Sequence, residues 1–122
     1  MDYLRIIINM NKYLYKSRGE VLVARILEQN NYDFFYEFKY RRIKPDFCII
    51  NKEGKRCFIE YNGRQHYIPI KYFGGLLGFA KQLLRDVYEI IMCKIDRIPL
   101  LRIKYSLTDS EIEKCILKFL NK

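Results

Sequence analysis

The run Asp46–Asn62, DFCIINKEGKRCFIEYN, decides how this chain folds. Two segments within it, Asp46–Asn51 (DFCIIN) and Arg56–Tyr61 (RCFIEY), are short, largely apolar and rich in Ile, Phe and Tyr, which favours strands. The polar link Lys52-Glu53-Gly54-Lys55 separates them, and a glycine in such a short link is typical of a hairpin turn. The sequence therefore predicts two strands joined as a hairpin.

Helix and strand patterns continue on both sides of this hairpin. Ser17-Arg18-Gly19-Glu20 has the spacing of a capping box, which satisfies free backbone N–H groups at a helix start. The segment 2–16 fits either a helix or a strand followed by a helix. The other predicted elements are a helix from Ser17 to Asn30-Asn31, a strand at Phe34–Tyr40, a loop at Tyr67–Gly78, a helix at Phe79–Lys94, a strand at Pro99–Tyr105 and a helix at Glu111–Leu120. The order α-β-β-β-α-β-α predicts a mixed α/β fold, with a central mixed sheet of about four strands flanked by helices.

Length and charge narrow the function classes. The 122 residues suit one domain that spans residues 1–122. Lys and Arg number 23 against 14 Asp and Glu, which gives a net charge of +9. Such an excess favours a polyanionic partner, because each Lys or Arg that neutralises a phosphate releases a counterion. The alternative is a basic surface that only keeps the protein in solution.

Cysteine and histidine usage argues against a zinc finger or zinc ribbon. The chain has 4 Cys and 1 His, and no two cysteines have C-x-x-C spacing. Cysteines within apolar runs suit a reducing, intracellular compartment. The apolar run Leu4–Met10 (LRIIINM) is too short to span a membrane. We therefore expect an intracellular, cytoplasmic protein that does not engage a membrane.

Two carboxylates flank the predicted hairpin. Asp46 follows Pro45 at the start of one strand, and Glu60 lies near the end of the next. The start of one hairpin strand lies beside the end of the other, so both carboxylates would meet at one edge of the sheet. Oxygen ligands on rigid elements suit Mg²⁺ (or Mn²⁺), which can activate water against a phosphodiester. The alternatives are a strand-end role for Asp46 and an outward-facing position for Glu60.

Other polar residues extend this candidate site. Glu20 lies in the first helical turn, where the helix dipole favours a carboxylate, although helix capping alone would explain it. His66 follows Glu60 closely and suits general acid–base catalysis or contact with a phosphate. A polar loop position or a satisfied buried histidine is the alternative for His66. Arg64 and Gln65 are candidates to bind phosphate oxygens.

The string Phe58–Tyr67, FIEYNGRQHY, resembles the EYDGxQHY signature of small restriction-endonuclease-like nucleases found in phages and large DNA viruses. These nucleases belong to the PD-(D/E)XK superfamily and lie near its very-short-patch-repair-like branch. Further segments resemble the family in the expected order and together cover Ser17–Tyr105. They are the helix opening SRGE, the strand start PDF, the segment YFGGLLGFAKQLLRD and the strand IPLLRIKY.

The resemblance implies a restriction-endonuclease-like core and a DNA endonuclease that uses Mg²⁺ or Mn²⁺. Glu20, Asp46 and Glu60 are implied as acidic residues that hold the metal. The further residues that it implies are Gln65 and His66 in the site and Asp86 as a structural or site-adjacent acid.

Two positions depart from the family pattern. Asn62 stands where the superfamily has Lys and the nearer branch has Asp, and we keep Asn62 in the candidate catalytic set. Glu89 stands where close relatives tend to carry Lys. Lys81 or Arg85, on the long helix, would then supply the missing positive charge at the phosphate.

A basic rim around the acidic centre would hold the DNA backbone. Its expected members are Arg41, Arg42, Lys44, Arg64, Lys71, Lys81 and Arg85. The alternative is a solvated basic face. We expect a metal-dependent DNA endonuclease that hydrolyses phosphodiester bonds, of a homing, recombination or repair type from a phage or virus. The rival, favoured by Asn62, is a catalytically impaired DNA-binding protein on the same fold, or a subunit of a larger nuclease. Because a small domain has little surface for reading a long DNA sequence, the expectation is either a homodimer or a substrate recognised by its structure.

Overall fold

The hairpin lies at the centre of the structure, a computed structural model that describes residues 15–71 and 74–121. The prediction for segment 2–16 lies almost wholly outside these residues. Strands β2 (Phe47–Ile50) and β3 (Arg56–Asn62) pair antiparallel, with Phe47 opposite Ile59 and Ile50 opposite Arg56. Their turn is held by the Asn51 side chain, whose oxygen accepts hydrogen bonds from two backbone N–H groups of the link. The predicted hairpin is confirmed.

The sheet has four strands in the order β1-β2-β3-β4. Strand β1 (Phe34–Tyr36) pairs antiparallel with β2, and β4 (Leu100–Lys104) pairs parallel with β3. A parallel neighbour needs a long crossover, and the second helix supplies it. The three described helices are α1 (Arg18–Gln29), α2 (Gly75–Ile95) and α3 (Asp109–Leu120), and a short 3₁₀ turn covers Arg64–His66. The predicted order and the mixed, helix-flanked sheet are confirmed.

Three local predictions differ from the structure. Strand β1 stops at Tyr36 rather than Tyr40, because Glu37 takes a left-handed φ of 53° that ends the extended run. Helix α2 begins at Gly75 rather than Phe79, directly after Gly74 with a φ of 88°. The capping box at α1 is half formed: Ser17 Oγ accepts from the Glu20 N–H, but Glu20 accepts from the N–H of Lys16.

The sheet separates two apolar clusters, because neighbouring strand residues point to opposite faces. Phe47 and Ile59 belong to the larger cluster, which α1 and α3 complete. Cys48 and Phe58 belong to the smaller one, which includes Cys93 of α2. Glu60 lies two residues beyond Phe58 on β3, so its side chain belongs to the face that α2 covers.

Helix α2 covers that face with a narrow stripe and leaves much of its apolar surface open. Its buried residues are only Asp86, Glu89 and Cys93. Its exposed large apolar residues are Leu76, Leu77, Leu83, Leu84, Val87, Tyr88, Ile91 and Ile95. None of the described helices combines the length and hydropathy that a membrane crossing needs.

Candidate active site

A cavity of about 970 Å³ opens where β2 begins and β3 ends, on the face covered by α2. Burying polar groups costs free energy unless they have partners, so a polar cavity next to the core calls for an account of each group. Its lining includes Glu20, Arg42, Lys44, Asp46, Glu60, Asn62, Gln65, His66, Gln82, Arg85, Asp86 and Glu89.

Asp46 is fixed across the hairpin. Its Oδ2 accepts a hydrogen bond of 2.8 Å from the backbone N–H of Tyr61. Burial raises the pKa of Asp46 to about 7, against the opposing effect of that hydrogen bond, and the charges of Glu20 and Glu89 raise it further. Asp46 therefore lies in a site that disfavours its ionised form unless a positive charge is near.

Glu60 and Glu89 both line the cavity, and the charge of Glu89 disfavours the ionised form of Glu60. Glu60 is 8% exposed, and burial, followed by its contact with the Glu89 carboxyl, raises its pKa well above the usual range. Glu89 is 6% exposed, and its Oε1 has no hydrogen-bond partner among the described residues. Two buried carboxyls this close need a shared proton or a cation.

Asp86 joins three elements at the other side of the cavity. Its carboxylate lies 3.0 Å from His66 Nδ1, accepts from Gln82 Nε2 at 2.9 Å, and pairs with Arg102 Nη2 at 2.8 Å. The bond to Nδ1 favours the tautomer with its proton on that nitrogen, which leaves Nε2 as an acceptor. The 3₁₀ turn carrying His66 is thus tied to α2 and β4.

The Asn62 side chain is hydrogen-bonded to the Arg102 guanidinium. Asn62 is 1% exposed, and the hydrogen-bond network assigns its amide oxygen to the side facing Arg102, where it accepts from Nε and Nη2 at 2.9 Å each. Arg102 is also the register partner of Glu60 in the parallel pair, and its charge lowers the pKa of Glu60. The guanidinium thus bonds to Asn62 and Asp86 and acts on Glu60 through its charge.

Glu20 lines the cavity, but both of its oxygens are occupied. Oε1 accepts from the Tyr36 hydroxyl at 3.1 Å, and Oε2 accepts from the Lys16 N–H at 3.0 Å. Burial and the Glu20 charge raise the pKa of Tyr36, so its hydroxyl stays protonated and able to donate. Glu20 ties α1 to β1 and influences Asp46 through its charge.

The expected basic rim divides into separate groups. Arg42, Lys44 and Arg85 line the cavity, whereas Lys81 lines a neighbouring cavity of about 340 Å³ that Gln65 and Arg85 share. Arg41 pairs with Asp96 at 3.0 Å. Arg64 and Lys71 are exposed and line neither cavity.

Sequence reasoning did not place Glu89, Arg102 or Gln82 in the site. Arg102 carried a usable signal, because a charged residue within the apolar run IPLLRIKY needs a partner just as Glu60 does. Glu89 and Gln82 lie three residues beyond and four residues before Asp86 on one helix face, so the helical period would have connected them.

The carboxyl groups of Asp46, Glu60 and Glu89 offer only oxygen ligands. Oxygen ligands suit a hard divalent cation. Within residues 15–71 and 74–121, no three His, Cys, Asp or Glu side chains already form a metal-holding group. The unpartnered Oε1 of Glu89 and the disfavoured ionisation of Asp46 and Glu60 are nevertheless what a bound cation would relieve. The chemistry of these ligands therefore suits Mg²⁺ or Mn²⁺, although the three side chains are not gathered around one point among the described residues.

No family model matches the chain, and comparisons with curated proteins and with solved structures found no significant match.

Proposed function

We propose that this protein is a metal-dependent DNA endonuclease in which Asp46 and Glu60 hold Mg²⁺ or Mn²⁺. The observation that carries the proposal is the convergence of two carboxylates, the buried Glu60 and the half-buried Asp46, in one cavity with the His66–Asp86 pair. Arg42, also in the lining, adds positive charge at its rim. A negative centre for a cation beside positive side chains for a phosphate backbone suits phosphodiester hydrolysis.

A divalent cation held by these carboxylates would neutralise charge on the phosphodiester and make water easier to ionise. The chain's own groups would do the rest. The Tyr61 N–H bond orients Asp46, and Nε2 of His66 would accept the proton of the attacking water while Asp86 holds the ring. Lys44, beside the cavity, would position the backbone phosphate.

A DNA-binding protein without catalysis is the second candidate, and Asn62 favours it. The superfamily lysine is replaced by an amide whose oxygen accepts from Arg102. Arg102 is itself paired with Asp86, so its charge is partly committed within the protein. On this reading the cavity binds a phosphate without hydrolysing its ester.

A cleavage assay separates the two candidates. The protein is incubated with linear, nicked and branched DNA in Mg²⁺, Mn²⁺ or chelator. Glu60→Gln keeps the shape but removes the charge, and Glu53→Gln on the exposed hairpin turn is the matched control. Metal-dependent cutting that Glu60→Gln abolishes and Glu53→Gln retains supports the endonuclease. Binding without cutting in either metal on all substrates refutes it and supports the second candidate.

A homodimer accompanies this proposal. Leu84, Val87, Ile91 and Ile95 are exposed on α2 at spacings of three and four residues, a pattern that suits an antiparallel pair of identical helices. A second copy would cover these side chains and add a second cavity for the other DNA strand. Sedimentation of the wild type and of Leu84→Gln/Ile91→Gln tests it: a monomer at all concentrations for the wild type contradicts the dimer.

An intracellular, cytoplasmic setting also belongs to the proposal. The structure describes all four cysteines, and all four are free thiols, which suits a reducing compartment.

A further inference from the structure

Helix α2 contributes Glu89 to the cavity that also holds Asp46 and Glu60, the two carboxylates of the β2–β3 hairpin. Glu89 lies one turn beyond Asp86 and belongs to the buried stripe of α2. Its side chain lines the same cavity as Asp46 and Glu60, contacts the Glu60 carboxyl and acts electrostatically on Asp46.

The partners of Glu89 are incomplete. Its Oε1 is buried without a hydrogen-bond partner within the described part of the chain. The half-buried Arg102 guanidinium is bonded to Asp86 and Asn62. A buried carboxylate oxygen of this kind is costly unless a proton or a cation satisfies it. The oxygen-rich surroundings favour a hard divalent cation as that partner.

Glu20, the other acidic candidate, differs in this respect. Tyr36 and the Lys16 N–H already occupy both of its carboxylate oxygens. Each oxygen keeps a second lone pair, but these bonds fix the carboxylate in the orientation that ties α1 to β1. Glu20 is better placed to support the wall of the cavity than to bind an ion.

We infer that Glu89 is the third carboxylate of the cation site, together with Asp46 and Glu60, and that Glu20 acts as a positioning residue. The inference rests on the proposed metal dependence of the site and deepens it. Two ligands come from the β2–β3 hairpin and the third comes from α2, so a divalent cation would tie this helix to the sheet. Since α2 buries only a narrow stripe, that tie would be a large part of its attachment.

Mn²⁺ binding to the full chain, followed by electron paramagnetic resonance, tests the inference without any need for activity. Glu89→Gln is expected to weaken Mn²⁺ binding by at least about tenfold, since it removes a charged ligand while its amide can donate to Glu60. Glu20→Gln is expected to stay within about threefold of wild type, as is the exposed control Glu53→Gln. Unchanged binding in Glu89→Gln, or a loss in Glu20→Gln alone, overturns the inference.

A second measurement covers the case in which Glu89→Gln folds poorly. Hydrogen exchange of the wild type with and without Mn²⁺ is expected to show new protection of the α2 amides near Glu89. Protection confined to the hairpin overturns the inference. If Mn²⁺ binds through Glu89 but no DNA is cut, the inference stands and the endonuclease proposal fails. If DNA is cut and Glu89→Gln binds Mn²⁺ normally, the reverse holds.

Discussion

Glu60 is buried against Glu89, and the physical cost of that contact depends on pH. The folded-state pKa of Glu60 lies well above its ordinary value of 4.5, and that of Asp46 rises from 3.8 to about 7. A raised pKa means that the folded chain holds these protons more tightly than the unfolded chain does. The stability they contribute is therefore complete at acid pH and is lost as the pH rises through the folded-state values.

We expect the metal-free protein to lose unfolding free energy between pH 4 and pH 8, by more than about 1 kcal/mol, because one pKa unit corresponds to about 1.4 kcal/mol. Glu60→Gln should flatten this profile and exceed the wild type in stability at pH 8. Urea unfolding in chelator at several pH values measures it, with Glu53→Gln as the control. A profile that Glu60→Gln leaves unchanged would contradict the assignment.

The close packing of Gly19 against Tyr61 gives a second prediction about a single residue. A Cβ at position 19 would overlap the ring of Tyr61, whose backbone N–H holds Asp46. Gly→Ala inside a helix normally stabilises by about 1 kcal/mol. Here we expect Gly19→Ala to destabilise by about 1–3 kcal/mol, because the ring must move. In a Tyr61→Ala background the same change should be neutral or stabilising, and thermal unfolding of this double-mutant cycle decides it.

The residue scale also shows what a sequence can and cannot predict of the site. Asp46 and Glu60 were expected at one edge of the sheet because a hairpin dictates its own register, and the structure places both in the cavity. Glu89 and Arg102 depend on how α2 rotates against the sheet and on the β3–β4 register. Those are properties of tertiary packing, which local periodicity does not contain.

At the scale of elements, the sequence predicted which helices and strands form better than where they end. The apolar runs predicted β2, β3 and β4 with nearly the lengths that the structure shows. β1 was overestimated because its aromatic pattern continues past Glu37, where the backbone turns left-handed. The φ of Glu37 depends on tertiary packing, because its backbone N–H donates a hydrogen bond to the Asp46 carbonyl on the neighbouring segment.

A prediction about how the helices and strands are held together concerns Asp86. This residue connects α2 to the 3₁₀ turn through His66 and to β4 through Arg102. Asp86→Asn removes the charge that pairs with Arg102, and because Arg102 is 25% exposed, the cost is about 1–3 kcal/mol, between that of an exposed pair and that of a fully buried one. We expect a loss of that order in chemical denaturation. Asp109→Asn, in the exposed pair with Arg18, should change stability by less than about 1 kcal/mol.

At the scale of the whole molecule, the net charge of +9 comes from Lys and Arg residues spread along the whole sequence. Only part of it reaches the cavity, through residues such as Arg42 and Lys44. We expect DNA affinity to fall steeply with salt, and Arg42→Gln or Lys44→Gln to reduce the log–log slope by about 1 each. Lys114→Gln on α3, across the sheet, should leave the slope unchanged. Fluorescence anisotropy over a salt series measures this, and equal effects of all three changes would contradict it.

The parallel pairing of β3 with β4 has a consequence for how the molecule assembles. The β2–β3 hairpin closes over a short turn, whereas β4 can pair only after all of α2 has been accommodated. Long loops close late, so Asp46 and Glu60 come together before Arg102 can reach them. In stopped-flow refolding, Ile49→Val should slow folding and Ile103→Val should mainly speed unfolding. We therefore expect Asp46 and Glu60 to be brought together during folding before Glu89 and Arg102 reach them, and dissolved cations to speed that step by offsetting the repulsion of the two carboxylates.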